Sequence, residues 1–279
     1  MPNKYQLVSK MADDTLKEIS SSAENWVNFL DTASNNYKYS FNEQVLIYAQ
    51  KPNATACADI ETWNKRLRRW VNKGAKGIAL ISIENGNSVL RHVFDISDTH
   101  SGISQELKLW EVKTSYENGL IETLENSFGK LDMKDNLSEA IFSSSLNLVE
   151  DNSQDYLVDL KEVTDNSSLQ GLSDSDLESY FKGLLANSVS YISMKRCGIN
   201  PMKHFNLGDF VLFISHISIA FLSTSLFILE RSFPTNAPIN ELLNPAVCNI
   251  SILILSSGVR CLNFPFGSSS FLSIFFKHS

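Results

Sequence analysis

Six of the twelve residues at positions 65–76 are cations, Lys65, Arg66, Arg68, Arg69, Lys73 and Lys76, and none is an acid. Trp70 lies among them, Trp63 just before them, and Tyr37, Tyr39, Phe41 and Tyr48 occupy the preceding stretch. Cations that follow phosphates and aromatic faces that stack on bases are the two components of sequence-tolerant single-strand binding, at about 1–3 kcal/mol per stacked base. On a helix through this segment, Ile60, Trp63, Leu67, Trp70 and Val71 share one side while the cations fan over the rest. Both tryptophans are therefore expected in the core, with contact running mainly through phosphates. Arg69 and Lys76 are then better placed for contact than either ring.

The patch stands against the balance of the chain, whose 279 residues carry a formal charge of −7. Residues 1–97 hold 12 Lys and Arg against 10 Asp and Glu, residues 98–200 hold 8 against 18, and residues 201–279 hold 4 against 3. The acidity sits in the middle third, so a basic surface in the N-terminal third keeps its meaning for a polyanionic partner. The length allows one large or two ordinary domains, and 43% hydrophobic with 10% aromatic residues points to a folded core.

Residue types that could do catalysis lack the spacing for it. His92, His100, His204, His216 and His278 are scattered, and there is no H-E-x-x-H, Walker A loop or nucleophile elbow. Cys57, Cys197, Cys248 and Cys261 form no C-x-x-C, so reduced thiols in a cytosolic protein are expected rather than a zinc site or disulfide framework. No cofactor and no enzymatic activity are expected; the pattern is that of a binding module. The first residues, "MPNKYQLVSKMADD", lack the apolar run of a secretory signal.

The elements that must position the patch follow from periodicity and caps. Leu16, Ile19, Ala23, Trp26 and Leu30 predict one helix beginning after "ADD", capped by Asp13 or Asp14. Ser40 and Glu43 form a capping box for a second helix that Pro52 closes. Asp59 is expected to cap a third, carrying the cations, with Gly74 just past its end. "GIALISIE" and "SVLRHVFDI" read as two strands joined through "NGN", a hairpin with a type I′ turn. Short apolar runs such as "LKLWEV" and "LIETL" come next, then an acidic Ser/Asn-rich stretch at 137–168 with helical character. A helix opening at Ser173 with Asp176 carries Leu177, Phe181, Leu184, Leu185, Val189 and Ile192 at helical spacing and stops at Gly198 and Pro201.

A spaced set of residues resembles the N-terminal domain of the ArdC-type antirestriction proteins. It comprises Tyr39, Ser40, Asn42 and Gln44, then Gln50, Pro52, Ala54 and Trp63, and finally Val71, Gly74, Lys76, Gly77 and Ile78. The resemblance covers residues 26–99, closing at "VFDISDT", with a looser similarity to long mobile-element proteins through "LLANSVSYISMKRCGINP". It implies single-stranded DNA binding in plasmid or conjugative transfer, with protection of incoming DNA and contact with other conjugation or replication proteins. Carried onto this sequence it adds Tyr39, Asn42 and Gln44 to the binding set of Lys65, Arg66, Arg68, Arg69, Lys73 and Lys76. The metal-binding H-E-x-x-H of ArdC proteins with protease-like C-terminal domains is missing.

After residue 205 the composition turns to Ser, Phe and Ile, with no formal charge at 210–229. Three readings stand: a truncated frame whose last seventy or so residues are out-of-frame translation or an unstructured tail, a membrane anchor at 210–229, or a cryptic core segment. The anchor supports a rival function, a membrane-attached interaction protein whose basic helix touches anionic lipid. The expected architecture is α+β, with three N-terminal helices packed on a small antiparallel hairpin or sheet at 1–100. Beyond it are expected a mainly helical acidic region at 101–201 and an apolar tail at 202–279.

Overall fold

Side-chain caps start the first three helices. The computed structural model describes residues 3–84, 87–101, 112–164 and 171–210. Asn3 and Gln6 form a capping box that opens α1 (Lys4–Ile19), Ser22 accepts from Asn25 N at the start of α2 (Ala23–Asn35), and the Ser40–Glu43 box opens α3 (Phe41–Gln50). The single helix expected across Leu16 to Leu30 is thus two, and Asp13 and Asp14 lie inside the first. Serine chemistry makes the break: the Ser20 hydroxyl donates to the Leu16 carbonyl, the Ser21 hydroxyl to the Glu18 carbonyl, and Ser22 caps α2.

The hairpin is present as β3 (Ile78–Glu84) and β4 (Asn87–Asp95), paired from Ile78↔Val93 to Glu84↔Asn87. Its two turn residues, 85 and 86, lie outside the described residues, as does most of "LKLWEV". A two-residue strand, β1 (Cys57–Ala58), joins the other side of β4 to give the antiparallel order β1-β4-β3. The α+β arrangement of three helices on a small antiparallel sheet holds, but its third helix is not the one expected.

Instead of a helix carrying the cations, Asp59 caps one wide turn at Thr62–Arg66, in which Leu67 N bonds the Thr62 carbonyl. The chain then turns at Arg68, the one described non-glycine residue with positive φ, at 50°. It continues as β2 (Arg69–Val71), which pairs with β5 (Thr99–Ser101) in a second, two-stranded sheet. A non-local partner strand has overridden the local helical spacing, as Trp and Val allow. Gly74, at φ 88°, sits third in a turn closed by Ala75 N to the Asn72 carbonyl, rather than past a helix end.

Beyond residue 112 the fold is helical. α4 (Glu117–Phe128) contains "LIETL", α5 (Leu137–Thr164) runs through the acidic stretch, and α6 (Asp174–Arg196) begins at the Ser173 cap. Gly198, at φ 77°, ends α6 with Gly198 N on the Lys195 carbonyl and Ile199 N on the Met194 carbonyl, the paired bonds of a Schellman stop.

Two apolar clusters share α3 as a wall. Val8, Leu46, Ile47, Ala54, Ile78, Leu80 and Val93 fill the space between α1, α3 and the sheet. The larger cluster joins Leu16, Trp26, Phe29, Leu30 and Val45 to Leu124, Ile141, Leu148, Phe181, Val189 and Phe210. One core therefore crosses position 100. Polar bonds seal the same contact: Trp26 Nε1 donates to Ser188 Oγ (3.0 Å), while Tyr191 and Lys195 both reach Asp31. Among the described residues no helix is long and apolar enough to cross a membrane; positions 211–229 of the expected anchor, Cys248 and Cys261 lie outside them.

Candidate nucleic-acid interface

Pairing of β2 with β5 decides which side chains of the basic segment face solvent. Val71↔Thr99, Trp70↔His100 and Arg69↔Ser101 are in register, and alternate residues of a strand point to opposite faces. Exposure alternates accordingly: Arg68, Trp70, Asn72 and His100 are exposed, while Arg69, Val71 and Ser101 are half-buried and Thr99 is buried. Trp63 and Trp70 therefore part company. Trp63 is 1% exposed and donates its Nε1 to the Phe94 carbonyl at 2.8 Å, whereas Trp70 is 46% exposed. The core position expected for Trp70 is corrected: it belonged to a helix that the β2–β5 pairing replaces.

On the outward face the Trp70 and His100 rings lie with centroids 6.3 Å apart and planes at 35°. Asn72 fixes the imidazole through a 2.7 Å bond between its Oδ1 and His100 Nδ1, while its own backbone N–H donates to the Asp98 carbonyl. This face offers flat aromatic surface with hydrogen-bonding groups beside it.

The cations divide by what already holds them. Arg69 turns to the inner face, where Nε donates to Thr99 Oγ1 (2.8 Å) and Nη2 to the Thr99 carbonyl (3.1 Å), so it braces β5. Lys65 pairs with Glu61 at 2.8 Å in an exposed i,i+4 bridge, and that hydrogen bond pushes its ammonium up from the usual lysine range. Arg66, Arg68, Lys73 and Lys76 are exposed and form no ion pair among the described residues. Four charges thus remain available to an incoming anion. Asp98, on the turn into β5, is neutralised by Lys51 at 2.7 Å.

Tyr39 and Gln44 have other partners. Gln44 is 5% exposed, and its amide donates to the Asn36 and Tyr39 carbonyls. Tyr39 donates its hydroxyl to the Cys57 carbonyl (2.8 Å), and burial pushes that hydroxyl well above the usual tyrosine range. Arg91 lies over the Tyr39 ring at 5.5 Å and clamps Glu43 at 2.7 Å. Asn42 is half-buried on the first turn of α3.

These contacts explain the spaced set differently from direct binding. Gln50 pairs its amide with both the N–H and the carbonyl of Ala79 (2.9 Å each), as a neighbouring strand would. On the other side of the sheet, Asn36 Oδ1 accepts from Cys57 N and Tyr39 donates to its carbonyl. Side chains from the helical layer thereby occupy backbone groups at both sheet edges, which blocks strand addition there. Thr32 donates to the Pro52 carbonyl, and Ala54 is buried.

A buried carboxylate, Asp95, ties the loop before β1 to the turn leading into β5. It is 1% exposed and accepts from Thr55 N (2.7 Å), Ala56 N (3.0 Å), Ser97 N (3.0 Å) and Ser97 Oγ (2.7 Å). Burial alone would raise its carboxyl, but the bonds from Ala56, Ser97 and Thr55 outweigh that and hold it below the usual carboxylate range. Burial pushes the thiols of Cys57 and Cys197 up to about 12, which keeps them protonated and unreactive at neutral pH. Among the described residues no three His, Cys, Asp or Glu side chains group as metal ligands.

Two residues of the outward face, His100 and Asn72, escaped the sequence reading. Their signal was the run "RRWVNKG", which also reads as a short strand of β-favouring Trp and Val before an Asn-Lys-Gly turn. Compared with known protein families, curated proteins and solved structures, the chain matches none.

Proposed function

We propose that this chain binds single-stranded nucleic acid through the outward face of β2 and β5, with a base stacked on Trp70 and phosphates held by Arg66, Arg68, Lys73 and Lys76. The observation that carries the reading is the exposed Trp70 ring on a small sheet within a segment rich in unpaired cations. An aromatic side chain of that size is normally buried, and its combination with free cations matches the chemistry of single-strand recognition better than a merely solvated surface does. A duplex hides its base faces and can use only the cations.

The resemblance of residues 26–99 to the ArdC-type N-terminal domain supports single-stranded DNA as the polymer. It also supports cytoplasmic work on plasmid or conjugative DNA, as a binding protein rather than an enzyme. The test is a titration of the full chain with a labelled mixed-sequence single strand and with its duplex at increasing salt. Four phosphate contacts at about −0.7 each give a logarithmic salt slope of about −3. The single strand should bind more tightly than the duplex at every salt concentration. Equal affinity for both, or a slope near zero, contradicts the reading.

A further inference from the structure

We infer that Trp70 and His100 together form a two-ring platform that takes two successive nucleotides of an extended, unstacked strand, and that the site therefore prefers pyrimidine-rich to adenine-rich single strands. The inference rests on the proposed single-strand binding and assigns a second stacking residue to it. Trp70 and His100 are directly paired across β2 and β5, so both project from one face, and both are exposed. Their centroids are 6.3 Å apart and their planes differ by 35°, which makes them neighbouring surfaces rather than one stacked pair.

The spacing limits what can lie on both rings. Successive nucleotides of a helical strand advance by about 3.4 Å, well short of the distance between these rings. A strand that covers both must be stretched and its two bases separated. Adenine tracts resist this because their bases stack strongly on one another, whereas thymine tracts stack weakly; stacking strength is a known source of pyrimidine preference in single-strand sites. The His100 ring is held for the task. Its Nδ1 is bonded to Asn72 Oδ1 at 2.7 Å, and Asn72 is anchored through its own N–H on the Asp98 carbonyl, so the imidazole plane is set before a strand arrives. Exposed Arg68 just before β2 and exposed Lys73 just beyond Asn72 bracket the platform along the chain with positive charge.

The experiment compares oligo(dT) and oligo(dA) of equal length for the full chain and its His100→Ala, His100→Phe and Trp70→Ala variants, at one salt concentration, by fluorescence anisotropy. Wild type should favour oligo(dT). His100→Ala should weaken oligo(dT) binding by about 5- to 150-fold, the range of one lost base stack, and His100→Phe should restore most of it. If Trp70→Ala weakens binding while His100→Ala leaves it unchanged, single-strand binding stands and the two-ring platform is overturned. If His100→Phe is as weak as His100→Ala, the imidazole acts by hydrogen bonding and the platform is likewise overturned. Tighter binding of oligo(dA) than of oligo(dT) by wild type overturns the unstacking argument. Failure of wild type to bind either oligonucleotide overturns the underlying reading of the site.

Discussion

Trp63 and Trp70 belong to one short segment, yet the first is a core residue and the second a surface one. Up to Leu67 the chain follows its local pattern: Asp59 caps, the chain winds once, and the Trp63 ring enters the core and bonds the Phe94 carbonyl. After Arg68 it follows a distant partner, and pairing with Thr99–Ser101 turns Trp70 outward. The anchored half fixes where the segment lies; the paired half decides what it presents. Apolar spacing along one segment therefore predicts burial only as far as the secondary structure that defines the spacing persists.

The largest test of this contrast is a pair of truncations. Trp63→Ala should destabilise the protein by about 3–5 kcal/mol, as a large buried ring leaves a cavity, whereas Trp70→Ala should stay within about 0.5 kcal/mol of wild type. Urea unfolding followed by far-ultraviolet circular dichroism measures both. Comparable losses would show that Trp70 is a packing residue after all.

Next in size is Asp95, which ties the loop before β1 to the turn leading into β5, the strand that pairs with β2. Asp95→Asn should cost about 1.5–3 kcal/mol, the scale of hydrogen bonds to a charged group. The folded carboxyl titrates below its unfolded value of about 3.9. Its contribution is therefore fully present above that value and is lost as pH falls through the folded one. Unfolding midpoints should drop more steeply below about pH 4 in wild type than in Asp95→Asn. Parallel acid limbs would remove Asp95 from the role assigned to it.

The smallest effect sharpens the switch point. Arg68→Gly should raise stability by about 0.5–1 kcal/mol, because a left-handed backbone costs a residue with a side chain about 1–2 kcal/mol and glycine's extra freedom when unfolded offsets part of the gain. A melting experiment that finds a loss would mean that the Arg68 side chain supports the bend.

Legibility in the sequence followed the reach of the stabilising bonds. The Ser40–Glu43 box, the Ser173 cap and the Gly198 stop act within a single turn, and all three were readable. So was the β3–β4 hairpin, whose register leaves two residues for the turn. The break between α1 and α2 was missed although its bonds are equally local, because continuous apolar spacing through Ile19, Ala23 and Trp26 outweighed three serines. β2 was not legible, since its partner lies far along the chain and its residues also suit a helix. The same holds for the roles of Tyr39, Gln44 and Gln50. The resemblance puts Tyr39 and Gln44 in the binding set and Gln50 in the spaced set that carries it, but their partners are backbone groups brought close only by the fold.

The central claim is that the outward half of the basic segment binds a single strand through the Trp70 ring, and affinity at constant fold tests it most directly. Wild type, Trp70→Ala and Trp70→Phe, each shown by urea unfolding to be equally stable, are titrated with one mixed-sequence single-stranded oligonucleotide at one salt concentration. Loss of a base stack worth about 1–3 kcal/mol should weaken Trp70→Ala by about 5- to 150-fold, with Trp70→Phe recovering most of the affinity. Undiminished binding by a folded Trp70→Ala would contradict the account.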